Sequence, residues 1–417
     1  MKKLLMIAIA GASFHLQAQP LPNPLTLGQA LEVSKTQNLL QKQQQVDVEL
    51  SQSRLSQLDD TYKPQAKLDL QLAKRAEFSN GTNNSHAFLH LSQVLFDENT
   101  QIQQHDKQSN LATEKFKLQQ LQKEKQIAVM RAFFDVVLAD MRYETILEEL
   151  ALSAIREGRV RDDYDIQYAS EVALLEKQTQ TQINVGKRIE AQAEQITTRA
   201  KLAQVLGIAY ENRPDDLVKP SFKHLFDKQI DEFEAWQAKL VKNNPSLLNM
   251  ERVLASLKKQ RQNELDNREI LISSNARLGE QGYQRDKNGK WRLGLNLSMP
   301  LGQSDKQKRK VAELALSIKK QQLAIEQFKE QINQQALEYW LKLRTLQQLN
   351  KSLVIELDYR DLYLEKARAN YEMQIKSDIG FAMTNYTDSE WKLAKNEFDY
   401  VITLAKLKQL VGEEHEL

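Results

Sequence analysis

The stretch Trp291-Arg292-Leu293-Gly294-Leu295-Asn296-Leu297-Ser298-Met299 alternates large apolar side chains with small or polar ones. Period two is the signature of a β-strand, whose successive side chains point to opposite faces. Leu68, Leu70 and Leu72 alternate with Lys67, Asp69 and Gln71 in the same way. Two partner segments, Phe88 to Val94 and Leu271 to Leu278, alternate less cleanly, so the chain reads as two strand pairs. Each segment has the length, about 9–11 residues, that a tilted strand needs to cross a bilayer.

Four strands make an open sheet with two bare edges. Lipid does not tolerate an open edge, because its backbone groups have no partners there. Four are also too few for a single-chain barrel, which needs at least about eight. Sharing resolves the conflict: three copies would supply twelve strands to one closed barrel. Trp291, Leu293, Leu295, Leu297 and Met299 would then face lipid, while Gly294, Asn296 and Ser298 would face the lumen. A soluble sheet with one buried face satisfies the same alternation. The connectors Glu77 to His86 and Gly279 to Lys290 are polar and turn-like, with Ser79-Asn80-Gly81-Thr82-Asn83-Asn84 in one and Gly282, Asp286, Asn288 and Gly289 in the other. They are expected as outward-facing loops.

The strand pairs sit inside an internal repeat. Asn38-Leu39-Leu40 matches Asn244 to Leu248, and Leu91-Ser92-Gln93-Val94-Leu95-Phe96 matches Leu297-Ser298-Met299-Pro300-Leu301-Gly302 at the same offset. Lys201 to Gly207 matches Lys406 to Gly412 with one residue less. The expected organisation is an export signal over 1–18, a first repeat over 19–207, a linker over 208–229 with Pro214 and Pro220, a second repeat over 230–412, and a tail over 413–417. Each repeat should run as a helix (Leu27 to about Tyr62; Ile230 to about Glu269), two strands, a very long helix, a break and a final helix.

Composition agrees with long helices. The chain of 417 residues has only 13 glycines and 8 prolines, and none falls between Gln101 and Ile155, a run that would span roughly 80 Å as helix. Ile127, Phe134 and Met141 recur every seven residues, as do Tyr339, Leu346 and Leu353 with Leu349 between, which favours coiled-coil packing. Absence of cysteine excludes disulfides, thiolate metal sites, a cysteine nucleophile and a lipid carried on cysteine. Lys2 and Lys3 followed by apolar Leu4 to Phe14 and Ala18 read as the signal, cleaved to leave Gln19 first. Removing those two lysines balances the 58 basic against 56 acidic residues, so nucleic-acid binding has no electrostatic support.

The repeat, the signal and the paired strands resemble the TolC family of outer-membrane efflux proteins over nearly the entire mature chain. The resemblance is carried by Leu25-Thr26-Leu27-Gly28-Gln29-Ala30-Leu31 with Asn38, by the two strand-exit phrases, by Arg368-Ala369-Asn370-Tyr371-Glu372 and by both repeat ends. It implies a homotrimer with a twelve-stranded outer-membrane barrel and a helical periplasmic tunnel, docked to a periplasmic adaptor and an inner-membrane pump or ABC exporter. The channel would be passive and need no cofactor. The family pattern also expects an aromatic, a glycine, a small residue and an aspartate around each periplasmic turn. The first repeat keeps Gly158, with Arg161 and Tyr164 after it. The second keeps Tyr371 but has Gln374, Ser377 and Gly380 at the following positions.

No catalytic constellation stands out. His86 and His90 lie four apart on one strand face without a third ligand nearby, and Gly279-Glu280-Gln281-Gly282 lacks the helix and Gly-Lys-Ser/Thr ending of a phosphate cradle. The candidate chemistry is charge at the two helix breaks: Asp162, Asp163 and Asp165 with Arg159 and Arg161 at the first, Lys376 and Asp378 at the second. Repeated three times around an axis, such carboxylates would attract cations and restrict passage. They read equally as solvated turn charge, with Asp162 or Asp163 suited to starting a helix. Gly158, Arg161, Gln374 and Ser377 are the candidate adaptor contacts, and Gly158 and Gly380 candidates for helix termination or close approach. The expected function is an exit duct of a tripartite efflux system for small toxic compounds. The alternatives are the exit duct of a type I protein secretion system and, from another class, a soluble periplasmic coiled-coil adaptor or structural protein.

Overall fold

The computed structural model describes residues 22–35, 38–77, 80–83, 85–266, 268–281, 290–300, 302, 305–373 and 378–413. The elements run α1 (Leu27–Ser34), α2 (Leu39–Asp60), β1 (Gln65–Gln71), β2 (Lys74–Glu77), β3 (Asn80–Asn83), β4 (His86–Asp97), α3 (Glu98–Asp165) and α4 (Glu171–Leu206), then α5 (Phe233–Asn243), α6 (Pro245–Asp266), β5 (Leu271–Gln281), β6 (Trp291–Ser298), α7 (Asp305–Glu372) and α8 (Ile379–Leu410). Between α4 and α5 lie two short 3-10 turns, Tyr210–Asn212 and Lys223–Leu225. The chain divides into two compact units, and each draws residues from both halves of the sequence.

α3 and α7 each run for 68 residues. Neither contains proline, and Gly158 is the one glycine between them, so nothing interrupts the hydrogen-bond ladder. The helix expected before each strand pair is broken in two. In the second half the cause is Asn244-Pro245: the Asn244 side chain accepts from Leu247 N at 2.7 Å, and proline fits the first helical position. α1 starts on a capping box, in which Thr26 and Gln29 satisfy each other's backbone donors. α4 ends on Gly207 in the left-handed conformation, and Gly412, just past α8, has the same φ of 78°.

The first unit (residues through Asn38, Lys125–Lys228 and Thr345–Ile402) has an aromatic core. Phe134 on α3 stacks on Phe398 of α8 with centroids 4.3 Å apart, and Phe222 closes onto both edge-on. Trp391 donates from Nε1 to the Leu138 carbonyl at 3.0 Å, tying α8 to α3. Of the seven-residue recurrences, Ile127, Phe134, Leu346 and Leu353 are buried. Leu349 is not; it stands 45% exposed, because Leu346 and Leu353 already fill the inward stripe of α7 here.

The second unit (Leu39–Glu124, Gln229–Arg344 and Thr403–Leu417) holds both sheets. The larger has the order β1-β4-β5-β6, antiparallel throughout, with β1 and β6 at its edges. A register shift between Val94 and Phe96 places a bulge in β4. The first polar connector is not simply a loop: β2 and β3 pair antiparallel across it as a separate two-stranded ribbon. In the second connector, 282–289 lie outside the described residues, as do 1–21, Leu301 and 414–417. Among the described residues, no helix is long and apolar enough to cross a membrane.

Candidate functional site

The register of the larger sheet sorts its side chains by face. Leu68 lies opposite Leu89, Leu89 opposite Leu278, and Leu278 opposite Trp291. One step along, Ala66, Leu91, Ala276 and Leu293 form the next row, and Ser274–Leu295 and Ile272–Leu297 continue the face. Its outer members are openly exposed: Trp291 70%, Leu293 72%, Leu295 75% and Leu297 70%. Met299, just past the end of β6, is also exposed. An apolar surface continuous over four strands exceeds the scattered hydrophobics of an ordinary protein surface.

The opposite face is polar. It carries Lys67 and Asp69 from β1, His86 and His90 from β4, Ser273, Asn275 and Arg277 from β5, and Arg292, Gly294, Asn296 and Ser298 from β6. Phe88 is the large buried apolar group on this side. Its ring lies between His86 and His90, with centroids 4.9 and 5.9 Å away. Its cross-strand partner is Gly279, with φ of 152°. A Cβ at that glycine would collide with the Ala87 carbonyl oxygen and press on the Phe88 ring. Alternation alone identified β6; it could not reveal that all four strands bring their apolar positions to the same side.

The charged tip residues lie in the first unit and sit differently from the expected break. Gly158, Arg161, Asp162, Asp163 and Asp165 are all inside the last turns of α3. Gly158 neither ends a helix nor admits a close neighbour, since a Cβ there would meet nothing within 4 Å. The helix continues because an isolated glycine costs only about 1 kcal/mol relative to alanine. Arg161 pairs with Glu157 one turn back. Asp162 and Asp163 do not start the next helix; Ser170 does, accepting from Ala173 N at 3.2 Å. The reversal is made by Gln167 in the left-handed region, and the Asp163 carbonyl receives both Tyr168 N and Ala169 N. This turn exposes Ile166 and Tyr168, the latter 87%. The sequence signal for them was an apolar and an aromatic residue in an otherwise polar turn.

At the start of α8, Asp378 accepts from Phe381 N at 3.1 Å and pairs with Arg156 on α3. Gly380 fits the expected close approach: a Cβ there would lie 2.6 Å from Leu152 Cδ1. Leu364, Ala367 and Ala382 form a small core behind it. Lys376, Gln374 and Ser377 lie outside the described residues. Arg156 has no counterpart in the sequence reading, because its partner is remote in the chain.

Among the described residues, no three His, Asp or Glu side chains gather as a metal site. No family model matches the sequence, and no match is found among curated proteins. Solved structures do match. The CmeC outer membrane channel of Campylobacter jejuni aligns with a TM-score of 0.74 at 13% identity, over 93% of this chain and 85% of that one. The MtrE outer membrane channel of Neisseria gonorrhoeae, in its open state, aligns at 0.70 and 13%, over 93% and 89%. The outer membrane protein VceC of Vibrio cholerae aligns at 0.69 and 10%, over 94% and 97%. The chain therefore has the fold of the TolC-like outer-membrane channels.

Proposed function

We propose that three copies of this chain form a passive duct through the outer membrane, exporting small solutes delivered by a periplasmic adaptor and an inner-membrane pump. The observation that carries this reading is the two-faced sheet. Its apolar face suits lipid, its polar face suits a water-filled lumen, and β1 and β6 leave two edges unpaired. Four antiparallel strands are an even number, so β6 of one copy and β1 of the next run in opposite directions and can pair without a crossover. Three such junctions close the barrel and remove every edge.

The helices support the same assembly. α7 carries Leu316 and Leu323, and farther along Ile355 and Leu362, exposed at seven-residue spacing; α4 carries Ile189 and Ile196 likewise. These stripes face away from the chain's own core and suit heptad packing against neighbouring copies. Residues 1–18 act as the export signal, with the repeats over 19–207 and 230–412 joined by 208–229. The turn after α3 and the residues before α8 are the adaptor contacts, with Gly158, Arg161, Gln374 and Ser377 joined by Ile166 and Tyr168. Asp162, Asp163 and Asp165, with Lys376 and Asp378, make the charged aperture.

The test is extraction of the full chain from outer membranes in mild detergent, with crosslinking and heat-modifiable mobility. A heat-sensitive species of three mature chains is expected. A monomer in the soluble fraction would overturn the shared barrel and the duct with it.

A further inference from the structure

Four basic side chains stand level across the polar face of the larger sheet. Lys67 of β1 lies opposite His90 of β4, His90 opposite Arg277 of β5, and Arg277 opposite Arg292 of β6. Each strand contributes one, and the row runs from edge to edge. In the sequence the four lie in separate segments and form no motif.

We propose that this row is an anion-selecting band, favouring passage of small solutes that carry carboxylate, sulfate or phosphate groups. The inference rests on the polar face being the lumen of the duct.

Arg277 and Arg292 place like charges directly opposite on neighbouring strands, which destabilises a sheet, so that pairing works against folding unless something else is gained. The row is not neutralised from within. Among the described residues, no carboxylate forms an ion pair with Lys67, His90, Arg277 or Arg292. Arg277 is instead held by the Phe88 ring, its guanidinium carbon 4.4 Å from the centroid. A cation–π contact fixes the position of the charge and leaves its value intact. Gly279 permits that contact, since any side chain opposite Phe88 would displace the ring.

The neighbouring rows sharpen the band. On one side lie Gln65, Ser92, Asn275 and Gly294, all uncharged. On the other lie Asp69, Phe88 and Gly279, where Asp69 is directed toward His86 at 3.9 Å. The four basic groups, with Asp69 at one margin, border a groove of about 680 Å³ over this face, large enough for a solvated small anion. Rings of arginine and lysine select anions in pores, and low-dielectric walls focus their field. Three copies would repeat the row around the lumen.

The experiment is reversal-potential measurement on the full-length channel in planar bilayers under a KCl gradient. Every charged ring in the duct contributes to the absolute chloride-to-potassium permeability ratio, so the change on substitution is the readout. Neutralising the row in K67Q/R277Q/R292Q is expected to lower that ratio by at least about two-fold. R277K/R292K, which keeps the charge, should retain the original ratio, and inorganic tripolyphosphate should block the native channel more strongly than the neutralised one. An unchanged ratio in channels of normal conductance would overturn the band while leaving the duct intact. Absence of any conductance from the native protein would overturn the duct reading and this inference together. If the triple variant fails to insert, R292Q alone at the sheet edge provides the same comparison.

Discussion

Asp378 caps the first turn of α8 through its contact with Phe381 N and, at the same time, takes the Arg156 guanidinium from α3, 222 positions away in the chain. One carboxylate thus orders a helix start and ties two long helices together. Both side chains are nearly half exposed, so solvent screens the pair and the cap is the more durable part.

Asp378→Ala should therefore cost more stability than Arg156→Ala, about 1 kcal/mol for the cap against a few tenths for the exposed pair. Amide exchange at Phe381 separates the two: it should quicken in the Asp378 variant and stay close to native in the Arg156 variant. Equal effects from both would show that the pair dominates.

Leu295→Arg should impair the assembled protein, with a penalty of about 2–4 kcal/mol for a cation on the proposed lipid face. Asn296→Arg, one residue along on the polar face, should be tolerated. Yield of the heat-modifiable trimer measures both. Equal tolerance of the two would remove the distinction between the faces.

Gly279→Val should fail to form the native sheet locally, because the added side chain would strike the Ala87 carbonyl and the Phe88 ring, and because φ of 152° suits glycine. A thermal transition at lower temperature and loss of trimer are expected. Reducing the ring in Gly279→Ala/Phe88→Ala should not restore stability, since the carbonyl clash remains.

Glu397 is buried beside Phe222, whose N–H donates to its Oε2 at 3.4 Å. Burial raises its carboxyl above the usual glutamate range, with the Phe222 hydrogen bond, Lys223 and Lys219 acting the other way. A raised folded value means the folded protein holds the proton more tightly than the unfolded chain. Its contribution is present below the ordinary glutamate value and is lost as pH rises through the raised one. Glu397→Gln should match the native protein at acid pH and exceed it in thermal stability at neutral pH. A native protein more stable than the variant at neutral pH would contradict this.

Asp162→Ala/Asp163→Ala should raise single-channel conductance and relieve block by multivalent cations, if these carboxylates line the aperture. Arg161 pairs with Glu157 rather than with either aspartate. Unchanged conductance and block in planar bilayers would remove them from the constriction, leaving the helix itself intact.

Much of this architecture was legible in the residue order. The run from Trp291 to Met299 announces its strand because alternation is a local consequence of backbone pleating. The absence of proline and the scarcity of glycine announce α3 and α7 for a similarly local reason, since proline removes a donor from the helix ladder and glycine lowers helix propensity. Ile127, Phe134, Leu346 and Leu353 followed the seven-residue pattern into the core.

What the local pattern could not decide was which remote segments stand level with each other. Helix propensity near Gly158 overrode the expected break, and the turn formed at Gln167, where the next cap, Ser170, was better placed. Asp378 looked like a free turn charge until Arg156 met it. Lys67, His90, Arg277 and Arg292 are four unremarkable basic residues in sequence, and only strand register makes them a row. The period of a side-chain pattern is set by the backbone of its own segment, so sequence alone determined the long helices and the apolar face of β6. Register and pairing depend on contacts between segments far apart in the chain, and those the tertiary structure decided.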